Sequence, residues 1–236
     1  MQKGFKVLFE DEHPLDYWCI RRFITSFPES YQTVVEEIII KSQRLNKKIF
    51  GYNVAKLMPS FKMTRRGAFH GLRLDNEQNK PIDPKGVIKL CWRQVGVELQ
   101  ELKGYIKENA LCERHWIPVD LPPGSRSYII QNTNDLFEKL RNVKINGSMV
   151  GPVGASKVLF AALPEVALPV DNQEWKHVFG TDRYYVILST MVDEIEEWEK
   201  RVQEKLDEVS PYAKVTLPSI YNIMAMSARP LKRPKS

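Results

Sequence analysis

Two stretches of this sequence repeat their apolar residues at steps of three and four, and that periodicity commits the chain to packed helices. From about Lys85 to Asn109 the series is Ile88, Trp92, Val95, Leu99, Leu102 and Ile106. From about Asp182 to Val209 it is Tyr184, Leu188, Met191, Ile195, Trp198 and Val202. Side chains three and four apart share one face of an α-helix, so each series predicts a long amphipathic element. Asp193, Glu194, Glu196 and Glu197 fall on the other faces of the second and read as solvated surface. Shorter patterns predict helices after Pro14, from near Pro28 toward Asn46, over Val54 to Met58, and around Asn134 to Val143. Others are expected over Ala155 to Ala162, on to Phe179 beyond an Asp171 or Asn172 cap, and from Ser219 to Ala228. Only Phe5 to Phe9 reads as a strand. The expected class is mainly α: a helical, bundle-like globular protein with at most a small β component.

Punctuation suggests where such a bundle divides. Residues 75–86 form a polar connector with two prolines, and the stretch from Pro118 to Arg126, with Pro122, Pro123 and Gly124, is the best hinge. The expected organisation is an N-terminal lobe over 1–120 and a C-terminal lobe over 127–236, or one compact domain. At 43% hydrophobic and 27% charged residues the composition excludes wholesale disorder. No apolar run reaches the roughly 18 residues of a membrane span, and the first residues lack the apolar core of a secretory signal. Cys19, Cys91 and Cys112 are scattered and odd in number, which reads as buried thiols in a reducing compartment. The expected setting is therefore intracellular, cytoplasmic or nuclear, with no membrane partner. His13, His70, His115 and His177 have no ligand spacing, so neither a metal nor any other cofactor is expected.

Charge is unevenly spread. The chain carries 35 basic and 29 acidic residues, a net charge of +6. Between Glu37 and Asp75 there is no acid, while Lys41, Arg44, Lys47, Lys48, Lys56, Lys62, Arg65, Arg66 and Arg73 all fall there. Phe50, Tyr52, Phe61 and Phe69 are interleaved with them. Cations that meet phosphates release condensed counterions, and guanidinium and aromatic groups stack on unpaired bases. A polyanion is the expected partner of this stretch. A solvated basic face pairing with the acidic helix near residues 193–208 is the alternative.

A second feature lies in the segment MVGPVGASKVLFAALPEVALPVDNQEW. Gly151 and Gly154 bracket a short turn ahead of an apolar helix, and glycines let a backbone approach a phosphate that free helix-start amides then bind. Ala155, Ser156 and Lys157 would supply those amides, with the Lys157 charge beside them. Pro169-Val170-Asp171-Asn172 follows. These residues, about 30 of the chain, resemble the helix-hairpin-helix superfamily of base-excision DNA glycosylases. The resemblance implies DNA rather than RNA as partner and a glycosylase or lyase activity. It also implies Asp171 as the carboxylate that stabilises positive charge on the sugar, and Lys157 as the amine that attacks the sugar carbon. The pattern departs from the family where Pro152 replaces the first close-approach glycine, and where Lys157 sits one position beyond the usual nucleophile. Asp171 comes 14 residues after Lys157, a short interval for the family, and no four-cysteine cluster follows.

Other constellations carry less. Gly124-Ser125-Arg126 lacks the lysine-serine ending of a phosphate-binding loop. Arg65, Arg66, His70 and Asp75 lack the second carboxylate of a nuclease, and neither Ser125 nor Ser156 has a histidine partner. The site expectation is thus Gly151, Gly154, Ala155, Ser156 and Lys157 as clamp, Lys62, Arg65, Arg66 and Arg73 as basic surface, and Asp171 with Lys157 for chemistry. A reading of a different class keeps the chain free of nucleic acid and docks a protein partner on the amphipathic helix at 184–206.

Overall fold

The structure, a computed structural model, describes residues 7–75, 77–109 and 121–229. Several helices begin where a side chain supplies the bonds that the first turn lacks. Asp16 accepts from the Cys19 amide at 2.8 Å ahead of α1 (Tyr17–Ser26), and Asn46 accepts from the Lys48 and Ile49 amides ahead of α3 (Lys47–Ser60). Asp83 takes the Val87 and Ile88 amides at the head of α4 (Val87–Asn109). Thr216 and Ser219 form a reciprocal capping box on α8 (Leu217–Ser227). Proline takes that place elsewhere: Pro28 precedes α2 (Glu29–Ser42), and Pro123 is the first residue of α5 (Pro123–Arg141). The remaining helices are α6 (Gly151–Ala162) and α7 (Tyr184–Val202), with a π-helical segment at Glu174–Phe179.

Among the described residues, strands occur only as two-residue antiparallel pairs: β1 (Phe9–Glu10) with β2 (His13–Pro14), β3 (Arg73–Leu74) with β4 (Pro81–Ile82), and β5 (Lys144–Ile145) with β6 (Ser148–Met149). Helix makes up 66% of the structure, so the chain is mainly α as its periodicity predicts. Among the described residues no helix is long and apolar enough to cross a membrane.

Several boundaries differ from expectation. α3 is far longer than Val54 to Met58, because the Asn46 cap starts it early and Phe50, Val54, Leu57 and Met58 bury one face. α5 begins inside the expected hinge, where Pro123 suits a first helical turn; residues 110–120 of that region lie outside the described residues. α7 stops at Val202, where Gln203 turns left-handed with φ 61°, and a short 3-10 turn at Leu206–Val209 follows. Of the expected strand over Phe5 to Phe9, residues 5 and 6 lie outside the described residues, Val7 and Leu8 form a bend, and Phe9 opens the two-residue β1.

Elements from both halves share one hydrophobic core. α3 packs on α2, α4 and α6, α5 packs on α4, α6 and α7, and α1 lies against α8. The apolar stripe of α7 is spent inside: Tyr184, Leu188, Met191, Ile195 and Trp198 are all buried. Val202, the last of the series, is half-buried.

The segment after α6 makes a turn at 164–166 closed on the Leu163 carbonyl, then runs on without regular structure, wholly buried over 163–170, so the rest of its backbone must find partners inside the protein. Side chains provide them. Tyr184 Oη both donates to the Leu168 carbonyl and accepts from its amide, each at 2.9 Å. Ser156 Oγ does the same for Val170 at 3.1 Å, and the Thr216 hydroxyl donates to the Pro164 carbonyl at 2.7 Å. Glu165 is paired in the interior with Lys103 and accepts from Gln43. This lattice fixes where the chain emerges at Asp171.

Candidate nucleic-acid interface

The glycine turn expected ahead of α6 is a tight hairpin running straight into a helix. Asn146 and Gly147, with φ of 45° and 76°, close β5 onto β6, and Gly151, also left-handed at φ 68°, starts α6. The helix thus begins four residues earlier than Ala155. The amides of Ala155, Ser156 and Lys157 therefore lie within its hydrogen-bond ladder, and the three residues are buried. Their expected role as a phosphate clamp is corrected: the uncapped first-turn amides belong to Gly151 and Val153, both partly exposed. Gly154 is also reassigned. A β-carbon there would sit 2.7 Å from the Phe69 ring and 3.0 Å from Val150, so this glycine admits an aromatic side chain rather than a phosphate.

That contact organises the surface. Phe69 ends a short 3-10 turn, Gly67–Phe69, on which β6 packs, and another turn, Met63–Arg65, precedes it. Lys62, Arg65 and Arg66 are exposed on these turns beside the hairpin, where Lys144 and half-exposed Met149 also face solvent. Lys85 reaches the same turn, donating to the Gly67 carbonyl at 2.8 Å. Arg73 is exposed on β3, its guanidinium donating to the Gly71 carbonyl at 3.2 Å. Farther back in the stretch, Lys41 and Lys56 are engaged by Glu37, which also accepts from Tyr52.

Lys157 lies deeper in α6. It is 2% exposed, with its ammonium over the Phe61 ring at 4.2 Å from the centroid. Burial pushes its amine down to about 8, against the pull of the Asp171 and Glu174 carboxylates. Asp171 emerges from the buried connector to cap the next turn, accepting from the Gln173 amide at 2.9 Å, while Glu174 accepts from the Asp171 amide at 2.8 Å. Asp171 is thus a capping residue, and its other oxygen meets Arg229 at 2.7 Å. Arg229 bonds Glu174 at the same distance. Glu174 is 1% exposed in its side chain, and burial raises its carboxyl to about 7 despite the guanidinium.

The structure therefore gathers Gly151, Gly154, Lys62, Arg65 and Arg66 around one hairpin, and Lys157 with Asp171 around one buried cluster. Glu174 and Arg229 complete that cluster and were not among the expected residues. The signal for Glu174 was available: Asp-x-x-Glu at a helix start is a capping-box spacing. Arg229 had none, being the first residue of a basic tail that the sequence gives no reason to anchor; residues 230–236 lie outside the described residues. Cys112, His115 and Trp116 also fall outside them. Among the described residues no group of histidine, cysteine, aspartate and glutamate side chains could hold a metal ion. No family model matches the sequence, and no curated protein or solved structure matches it either.

Proposed function

We propose that this protein binds nucleic acid, DNA in preference to RNA, across the face made by the β5–β6 hairpin, the first turn of α6 and the basic turns at 62–67. The carrying observation is the packing of β6 and Gly154 on the Gly67–Phe69 turn. It brings the start of α6, with its uncapped amides, against the turn that follows the exposed Arg65 and Arg66, and amides with cations are the pairing a phosphate backbone uses. The glycosylase resemblance supplies the preference for DNA.

Base excision is the reaction this reading carries. Lys157 lies six residues beyond Gly151, about 9 Å along the helix axis. A lysine whose amine is pushed toward neutrality is a nucleophile near physiological pH, and a neighbouring carboxylate stabilises a cationic sugar. The Phe61 ring covers the amine, so substrate access requires that ring to move; Phe61 adjoins Lys62, so strand contact and access are coupled through the chain.

The test is anisotropy of labelled duplex and single-stranded DNA and RNA, followed by alkaline cleavage to reveal abasic sites. Duplex DNA is expected to bind most tightly, and Asp171→Asn to abolish excision while leaving affinity within about twofold, since asparagine retains the cap. Excision that survives in Asp171→Asn removes Asp171 from the chemistry. Failure to bind any of the four nucleic acids removes the whole reading.

A further inference from the structure

Between α2, the end of α3 and the β3–β4 hairpin lies a groove of about 690 Å³ that the proposed interface does not use. Pockets for small ligands span about 300–1,000 Å³, so it can hold a molecule of nucleotide size. Its walls include Val34, Leu74 and Ile82, each only half-buried although apolar. Two charges of opposite sign sit among them. Arg73 spends one donor on the Gly71 carbonyl, leaving other donors and a flat guanidinium face available. Asp75 spends Oδ1 on the Glu77 and Gln78 amides at 2.9 and 2.8 Å, and among the described residues nothing bonds its Oδ2. Lys56 also lines the groove, but its ammonium is held by Glu37 at 3.1 Å.

This set selects its occupant. An aliphatic anion would satisfy Arg73 but leave Asp75 beside a repelling charge, and a plain cation would reverse the fault. A ligand with a planar apolar body, an N–H donor and an anionic group satisfies all three. We infer that the groove takes a single nucleotide whose base carries an amino group, of which cytosine is the smallest. The base lies against Val34, Leu74 and Ile82, the amino group donates to Asp75 as a cytosine amino group does to carboxylates, and Arg73 meets the phosphate. The source is a free nucleotide or an unpaired nucleotide of a bound strand. The second rests on the function proposed above, and the groove adjoins that face: Ser60 in its lining stands two residues before Lys62, and the Gly71 amide bonds the Thr64 carbonyl at 3.0 Å.

The experiment titrates the full chain with CMP and UMP by calorimetry, and with a duplex carrying one unpaired cytidine against its fully paired counterpart. CMP is expected to bind at least about tenfold tighter than UMP, the worth of one hydrogen bond to a charged group. The unpaired cytidine should tighten duplex binding by a similar factor. Ile82→Trp, which fills the groove, should abolish both preferences. Asp75→Asn, which keeps the turn's acceptor, should erase the difference between CMP and UMP. Arg73→Ala, at an exposed position that does not bear on folding, should weaken CMP about tenfold. Preference for unpaired cytidine without binding of free CMP supports the strand as source. CMP binding without any duplex binding upholds the groove and removes the strand-binding reading. Equal binding of CMP and UMP together with equal binding of the two duplexes overturns the inference, as does CMP affinity untouched by both Ile82→Trp and Arg73→Ala.

Discussion

Gly154 and Lys157, three positions apart on α6, show how one residue can carry more than its local pattern. Gly154 exists to let the Phe69 ring approach the helix at a distance no β-carbon tolerates. Gly154→Ala is expected to cost about 1–3 kcal/mol in urea unfolding, because ring and helix must separate. It should also loosen the turn that bears Arg65 and Arg66; unchanged stability would show that the contact is easily relieved. Lys157 makes the opposite demand. Its folded-state amine sits at about 8 against an ordinary 10.5, so between those values the unfolded chain binds more protons and stability rises with pH. Below pH 8 the buried ammonium costs the fold on the order of 3 kcal/mol. Lys157→Met should therefore be more stable than the parent at pH 7 and lose that part of the rise between pH 8 and 10.5. Parallel pH–stability curves for parent and variant would contradict the burial argument.

Individual elements differed in how openly the sequence announced them. α4 and α7 were legible because each fills one face with apolar residues over five turns or more. α3 and α5 were not. Gly51, Tyr52 and Asn53 interrupt the α3 pattern, yet Gly51 lets Ile88 approach and Asn53 donates to the Ala161 carbonyl at 2.9 Å, so tertiary contacts hold the helix through that stretch. α5 hides behind Pro122-Pro123-Gly124, residues that read as a hinge but serve equally as a helix start. The candidate site was half visible for the same reason. Lys157 and Asp171 stood out within one segment, whereas Arg229 reaches the cluster from 55 residues beyond Glu174. One apparent surface residue proved interior: Glu194 Oε1 accepts from the Val7 and Leu8 amides at 2.7 and 2.6 Å, and Oε2 from the Tyr221 hydroxyl at 2.6 Å. It moors the N-terminal segment to α7 and α8. Glu194→Gln, which removes the charge that accepts three buried hydrogen bonds and reverses the one with the Tyr221 hydroxyl, is expected to destabilise by about 1–3 kcal/mol and to speed amide exchange at Val7 and Leu8. Protection there equal to the parent's would show that other contacts suffice.

At the scale of the molecule, the helical core brings segments far apart in the chain into contact. The nine-cation stretch and the hairpin are separated by about 70 residues of chain, which includes α4 and α5, and the packing of α3 and the Gly67–Phe69 turn on α6 and β6 brings them together. If the proposed function holds, phosphates that meet such a surface release condensed counterions, and each contact adds about one to the slope of log affinity against log salt. The direct measurement is that slope for duplex DNA, taken for the parent chain and for the variant Lys62→Ala, Arg65→Ala, Arg66→Ala. A steep slope is expected for the parent and one shallower by about three for the variant. Equal slopes, or binding insensitive to salt in both proteins, would contradict it.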